Sequence, residues 1–213
     1  YEILSISKNG KEVPLQGRTT SFDYYESVLS PNITVNLTVK DGPNAVKYDK
    51  KFDKQERTGS IYNALPITGG EKIAFKIKNS IATLDFGRRP LTVSGASNMA
   101  QDDKTSSIMI QLVSPLAVSN QESVVYKKYD GNIGDNVKKL IKEYLNVRSN
   151  KMTIDDTSNS YSFVGKSDSV FDVICWLAGK STSETDSAGF FFYETQDGLN
   201  YRSIDKLIAQ DPV

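Results

Sequence analysis

The first half of the chain alternates apolar and polar residues with a period of two. Residues 32–40 alternate in this way, with one apolar face formed by Ile33, Val35, Leu37 and Val39. Residues 71–78 repeat the pattern, and the polar face there carries three lysines, Lys72, Lys76 and Lys78. Shorter runs follow the same rule at residues 1–7, 81–86, 90–94 and 107–113. Such runs, separated by turn residues, predict an antiparallel sandwich or barrel.

Beyond Ser114-Pro115 the pattern changes from strands to helices. Residues 133–146 carry an apolar stripe on one helical face, formed by Val137, Leu140, Ile141, Tyr144 and Leu145. Asn132 is the expected N-cap of this helix, because its side chain can accept a hydrogen bond from a free backbone N–H. The sequence therefore predicts a domain boundary near residue 116.

A second helix and a hairpin are predicted near the end of the chain. The helix covers residues 168–179, and we expect its apolar residues, including Cys175 and Trp176, to lie in the core. For Trp176 the alternative is an anchor of a subunit contact. The hairpin covers residues 189–205 around Asp197-Gly198, a dipeptide that favours a type I′ turn because both turn residues need positive φ. Asn9-Gly10 is a second turn signal of the same kind.

The composition excludes several classes of enzyme. The chain has 213 residues, no histidine and one cysteine, so Ser-His-Asp catalysis and Cys- or His-ligated metal sites are excluded. Lysine and arginine together number 26, as do aspartate and glutamate, and this balance is not typical of a nucleic-acid-binding protein. No apolar run approaches the roughly 18 residues of a membrane span. We expect no cofactor, no metal and no membrane insertion.

The remaining chemical candidates are weak. Asp102-Asp103 and Asp155-Asp156 are adjacent pairs in loop-like sequence, and neighbouring residues of an extended segment point to opposite faces. Gly165-Lys166-Ser167 and Gly179-Lys180-Ser181 resemble the end of a P-loop but lack its upstream glycine. Glu194 with Asp197 would be the carboxylate pair of an enzyme, although the hairpin turn accounts for both. We therefore predict no enzymatic activity.

The row of Lys72, Lys76 and Lys78 is the one candidate for a functional surface. Lysines on one face of a strand are usually solvated, and that interpretation is favoured. The alternative is contact with DNA or with an acidic neighbour, which makes the row a candidate assembly or channel surface.

The end of the chain resembles a known family. The run Phe-Phe-Tyr-Glu-Thr-Gln-Asp-Gly-Leu-Asn-Tyr-Arg-Ser-Ile-Asp at residues 191–205 follows a helix that ends in Leu177-Ala178-Gly179. Upstream lie Asp130-Gly131-Asn132 and an amphipathic helix, after a strand-rich region. These features resemble the baseplate central hub protein of T-even-like contractile-tailed bacteriophages, whose architecture the spike proteins of type VI secretion systems share.

The resemblance implies a fold and a role. It implies a mainly β protein, α+β overall, with a tube-like antiparallel β-barrel at residues 1–116 and a mixed helix-plus-hairpin domain at 117–213. A second barrel would begin where the chain stops at Val213, so we expect the natural polypeptide to be longer. The hub is a homotrimeric ring in the virion, made in the bacterial host cytoplasm. It joins the central spike to the tail tube or its initiator proteins, and DNA passes through its channel without sequence-specific binding.

A different class of function stays open at this point. The chain has 11 tyrosines, a residue that both stacks on ligands and forms hydrogen bonds. The alternative is therefore a non-catalytic carbohydrate- or ligand-binding β-domain of a phage fibre or a secreted protein.

Overall fold

The computed structural model describes residues 2–50, 53–78, 83–101, 105–185 and 187–211. The chain forms two compact units, and it passes between them more than once. The N-terminal unit consists of Tyr1–Tyr25 and Thr34–Pro115, and the C-terminal unit consists of Glu26–Ile33 and Leu116–Val213. The division into a barrel domain and a mixed domain stays a prediction.

The described residues of the N-terminal unit form ten strands and one short helix. These are β1 (Glu2–Lys8), β2 (Lys11–Pro14), β3 (Thr19–Tyr25), β4 (Thr34–Asp41), β5 (Val46–Lys50), β6 (Asp53–Gly59), α1 (Ile61–Ala64), β7 (Lys72–Lys78), β8 (Thr83–Asp85), β9 (Leu91–Gln101) and β10 (Ser106–Val113). Strands β5 and β6 form a separate hairpin.

The other eight strands form one antiparallel sheet. Its order is β2-β1-β7-β9-β10-β4-β3, with β8 paired to β7. The mainly β class and the antiparallel pairing are therefore confirmed, while no closed barrel is found among the described residues. The strand predicted at 81–86 is seen as Thr83–Asp85, and residues 81 and 82 lie outside the described part of the chain.

Aromatic and β-branched side chains fill one face of this sheet. Phe75 is fully buried on β7 and packs edge-on against Phe22, at 5.0 Å between ring centroids, and stacks on Phe86 at 4.6 Å. The alternation of β4 buries Val35, Leu37 and Val39 as predicted. Strand β3 does not alternate strictly between buried and exposed positions, which is why the sequence pattern did not reveal it.

The C-terminal unit combines helices with two small sheets. Its elements are α2 (Pro115–Gln121), β11 (Lys128–Tyr129), α3 (Ile133–Leu145), a 3₁₀ turn (Ser149–Lys151), β12 (Met152–Ile154), β13 (Phe163–Val164), α4 (Val170–Ala178), β14 (Phe190–Thr195), β15 (Gly198–Ser203) and α5 (Ile204–Ile208). One sheet has the order β12-β15-β14, in which β12 runs parallel to β15, and the other pairs β11 with β13.

Local sequence signals set the ends of the two main helices. Asn132 caps α3, since its side chain accepts a hydrogen bond from the Asp135 N–H at 3.3 Å, as predicted. Ser169 caps α4 in the same way through the Asp172 N–H, and the helix begins at Val170, two residues later than predicted. The short helices α2 and α5 were not predicted, because neither is long enough to show a helical period.

The two turn signals behave differently in the structure. Asn9 and Gly10 both have positive φ and join β1 to β2, as a type I′ turn requires. At the second hairpin the strands pair up to Thr195 and Gly198, so the turn residues are Gln196 and Asp197. Neither of these has positive φ, and the type I′ prediction there is wrong.

Gly198 has another reason to be glycine. Its φ is +142°, and a Cβ at this position would overlap the carbonyl oxygen of Lys151. The residue therefore permits the close approach of the segment that leads into β12, the strand that lies parallel to β15.

We expect Gly198→Ala to destabilise the protein by about 2–4 kcal/mol, because overpacking typically costs roughly 1–3 kcal/mol and the unfavourable backbone angle adds about 1 kcal/mol. Urea unfolding measures the effect. Gly179→Ala is the control, since Gly179 has negative φ and no atom within 3.4 Å of a built Cβ. Equal midpoints for the two variants would contradict the close approach.

Candidate assembly surfaces

The predicted lysine row lies on β7, on the face opposite the buried Ile73 and Phe75. Lys72 and Lys76 are half-buried, and Lys78 is exposed. The structure thus places the three residues on one strand face, although their environments differ.

Neighbouring strands bind two of these lysines. The Lys72 ammonium donates a hydrogen bond to Thr92 Oγ1 on β9 at 2.5 Å, and Lys76 forms an ion pair with Asp85 on β8 at 3.4 Å. A hydrogen bond from the Gly87 N–H, together with the Lys76 ammonium, holds the pKa of Asp85 below its usual value. Lys72 and Lys76 therefore interact with groups of the same sheet. Lys78 is the most exposed lysine of the row.

A buried carboxylate stands directly before this strand. Glu71 is fully buried and accepts hydrogen bonds from the Lys8 ammonium at 2.6 Å and from the N–H groups of Thr68 and Gly69 at 3.0 Å each. Burial by itself raises the pKa of Glu71, but these donors outweigh it and the pKa is lowered. The sequence gives no signal for this site, because Lys8 is more than 60 residues away along the chain.

The C-terminal unit contains a second buried carboxylate, Asp155. Its Oδ2 accepts hydrogen bonds from Arg202 Nε at 3.0 Å and from the Ser203 N–H at 2.9 Å, and Lys206 lies 3.8 Å from Oδ1. Its neighbour Asp156 is exposed and pairs with Lys138 at 3.3 Å. The two carboxylates thus have separate structural partners, and the solvent exposure typical of a loop-like sequence is found for Asp156 but not for Asp155.

The carboxylate pair of the final hairpin, Glu194 with Asp197, is not brought together into a reactive site. Glu194 is buried in β14, where its side chain accepts a hydrogen bond from the Ile33 N–H at 3.5 Å, while Asp197 is exposed in the turn. Asp102-Asp103 lie outside the described residues. Within the described ranges no cluster of three or more Cys, Asp or Glu residues could hold a metal ion, and no helix is long and apolar enough to cross a membrane.

Trp176 and Cys175 are exposed, and their predicted place in the core is wrong. Helix α4 buries one broad face, formed by Val170, Phe171, Val173, Ile174, Leu177 and Ala178. Trp176 falls beside that face and packs edge-on against Tyr161 at 5.5 Å and Phe163 at 5.8 Å between ring centroids. The Lys180 ammonium lies 4.9 Å from the Trp176 ring centroid, a cation–π distance.

Two solved structures have a fold similar to that of this chain. The Escherichia coli c3393 protein, described as a type VI secretion component similar in structure to the T4 tail proteins gp27 and gp5, matches 92% of this chain with a TM-score of 0.53 and 12% identity. The 43 kDa tail protein of prophage MuSo2 from Shewanella oneidensis matches 94% with a TM-score of 0.55 and 11% identity. The chain has a phage-tail-protein fold. The predicted resemblance is thereby confirmed at the level of the fold.

The chain corresponds to only part of each of these proteins, and its similarity to them is structural. The chain spans 48% of the c3393 protein and 54% of the MuSo2 tail protein, about half of each. No protein-family model and no curated protein sequence matches the chain significantly. The tail-protein fold therefore rests on structure, since sequence identity near one residue in nine carries little information about function.

Glu71 generates a prediction about acid stability. Because its folded pKa lies below the ordinary value of 4.5, its contribution is present above pH 4.5 and is lost as the pH falls through the lowered value. We expect the unfolding free energy of Glu71→Gln to fall less than that of the wild type between pH 5 and pH 3. Urea titrations at pH 5 and pH 3 measure the unfolding free energies, and Glu122→Gln is the control because Glu122 is exposed. Parallel pH curves for wild type and Glu71→Gln would refute it.

Asp155 and Asp156 form a matched pair of sites for mutation. Asp155→Asn should lower the unfolding free energy by about 3–5 kcal/mol, because it leaves Arg202 without its buried partner. Asp156→Asn breaks only an exposed ion pair and should cost at most about 1 kcal/mol. Thermal and urea unfolding of both variants give the comparison, and similar losses would show that Asp155 has no special structural role.

Proposed function

We propose that the protein is a structural, non-enzymatic subunit of a phage tail baseplate hub. The observation that carries this proposal is the tail-protein fold, matched over more than nine-tenths of the chain in two solved structures. In this role the protein needs no cofactor, and it acts through the surfaces that it offers to other subunits. The protein would be made in the bacterial host cytoplasm and would become part of the virion.

The assembled form that we propose is a homotrimeric ring. Residues 1–116 would form a tube-like barrel and residues 117–213 a mixed domain, with the ring joining a central spike to the tail tube or its initiator proteins. The eight-stranded sheet supports this part of the proposal, because each copy offers terminal strands whose outer edges could meet neighbours. A permanent assembly of this kind requires interfaces of at least about 2,000 Å².

The lysine row would face a partner or a channel in this ring. Lys78 supports this proposal best, because it is exposed while Lys72 and Lys76 are held by Thr92 and Asp85. A positive strand face suits the passage of DNA through a channel, since attraction to phosphates does not depend on base sequence.

A ligand-binding role has one observation in its favour. A groove of about 300 Å³ in the N-terminal unit is lined by Asp41, Tyr62, Asn98, Ser106 and Ile108, and the Tyr62 ring is exposed. An exposed aromatic ring beside hydroxyl and amide groups suits a sugar. Binding on a glycan array that disappears in Tyr62→Ala would favour this second candidate.

Light scattering of the natural protein at micromolar concentration tests the ring. We expect the mass of a trimer. Lys78→Glu should weaken trimer formation or spike binding at least tenfold if the lysine row contacts a neighbouring subunit, because it reverses the charge there, and it should leave both unchanged if the row faces the channel. Lys40→Glu is the control, since Lys40 is an exposed lysine on β4 of the same sheet. A monomer with no affinity for spike or tube proteins would refute the proposed role.

A further inference from the structure

A groove of about 410 Å³ lies between β13 and α4 in the C-terminal unit. One wall is the extended segment of residues 163–166 with Asp168, and the other is formed by Asp172, Val173 and Trp176 of α4. The volume falls in the range of natural ligand sites, which is roughly 300–1,000 Å³. A strand on one side and a helix on the other make a narrow, elongated site.

The strand wall has an unpaired backbone edge. In the ribbon that contains β11 and β13, Val164 stands opposite Lys128, and the Gly165 N–H donates to the Lys127 carbonyl oxygen at 3.0 Å. Bonded and non-bonded pairs alternate along an antiparallel ribbon, so the N–H and C=O of Val164 point away from β11. Within the described part of the chain, no group forms a hydrogen bond with either of them. The free edge therefore offers one donor and one acceptor.

Two exposed side chains of the groove are apolar, and one of them is fixed by its neighbours. Val164 is 55% exposed and Trp176 is 45% exposed, although both are large apolar residues. The Trp176 ring is nevertheless held in place by Phe163, Tyr161 and the Lys180 ammonium. A ring that is fixed but almost half exposed offers an apolar contact at little further entropic cost.

The charges of the groove favour a basic occupant. The two carboxylates of Asp168 and Asp172 are exposed along the groove, and the lining contains one ammonium group, that of Lys166. The nearby Lys180 ammonium lies against the Trp176 and Tyr161 rings. A lysine or arginine of the occupant would therefore find two partners of opposite charge.

The geometry points to this groove as a docking site for an extended, basic segment of a different protein. The segment adds a strand to the free edge of β13 and hydrogen-bonds to the Val164 backbone. It places an apolar side chain on Trp176 and a lysine or arginine beside Asp168 and Asp172. The four residues 163–166 span roughly 13 Å of extended chain, so about four residues of the segment occupy the groove.

The sole tryptophan of the chain makes the groove directly observable, since Trp176 emission reports on its occupant. The probe is a displayed library of random octapeptides, selected on the 213-residue protein. We expect enrichment of peptides that alternate apolar residues and carry a lysine or arginine. Synthetic copies should shift Trp176 emission to shorter wavelength and bind with micromolar dissociation constants. N-methylation of the enriched peptides at alternate backbone positions should abolish binding, because it removes the donors that face β13.

Two substitutions at one position separate backbone from side-chain contacts. Val164→Pro removes the outward N–H and leaves the ladder to β11 intact, because that N–H points away from it. We expect it to weaken peptide binding at least tenfold, whereas Val164→Thr keeps the N–H and stays within about threefold of the wild type, because side-chain changes on a solvent-facing strand position are usually small. Asp168→Asn should weaken binding severalfold and reduce its salt dependence.

Several results would overturn the inference. Equal affinity for Val164→Pro and Val164→Thr, or equal affinity for N-methylated and unmodified peptides, would exclude strand addition. Failure of every enriched peptide to shift Trp176 emission would exclude the groove itself. Self-association of the wild type that Val164→Pro abolishes would make the occupant a second copy. None of these measurements requires a trimer, so the inference and the proposed hub role can fail separately.

Discussion

The buried carboxylate of Asp155 joins the end of β12 to β15 and to the start of α5. The backbone N–H of Asp155 donates a hydrogen bond to the Tyr201 carbonyl oxygen at 2.9 Å, while the side chain accepts hydrogen bonds from Arg202 Nε and from the Ser203 N–H. A carboxylate buried without such partners would be strongly unfavourable, so the chain after β12 is confined to the position in which all of them are satisfied. This position in turn determines where the next segment meets α3.

The segment after Asp155 carries the constraint to α3 and to the ribbon. Thr157 accepts a hydrogen bond from the Gly134 N–H at 3.0 Å and donates one to Asn132 Oδ1 at 2.9 Å, which ties the segment to the first turn of α3. The Tyr161 N–H then donates to the Gly131 carbonyl oxygen and begins the pairing that leads to β13. The exposed edge of Val164 and the position of Trp176 thus depend on polar contacts made some residues earlier. A surface placed by such a network is better ordered than one carried on a free loop.

The sequence pattern predicts those elements whose formation depends on residues close to one another along the chain. The strands β4, β7 and β10, the helix α3 and the final hairpin each have a period or a turn signal of their own, and the structure contains them near the predicted positions. Asn132 could be recognised as an N-cap for the same reason, since its partner is three residues away.

Features that depend on distant residues could not be predicted in this way. Asp155 and Glu71 are buried because Arg202 and Lys8 meet them, and no local signal marks these pairs. Trp176 and Cys175 belong to a helix whose apolar surface is wider than the area that neighbouring elements cover. Periodicity alone cannot tell which apolar residues of such a helix stay exposed. Gly198 shows the same limit, because a dipeptide typical of a turn serves a close contact with Lys151.

The segment Glu26–Ile33 has a consequence for how the protein is made. It connects β3 to β4, yet it belongs to the C-terminal unit, where the Ile33 N–H meets Glu194 across a separation of 161 residues. The ribosome releases the N-terminal residues first, and about 70 further residues must be synthesised before β4 can pair with β10. Contacts of such long range slow folding and leave apolar strand faces open in the meantime. The early segment therefore reaches its final place only after the last hairpin has been synthesised, and the nascent chain must be kept from aggregating until then.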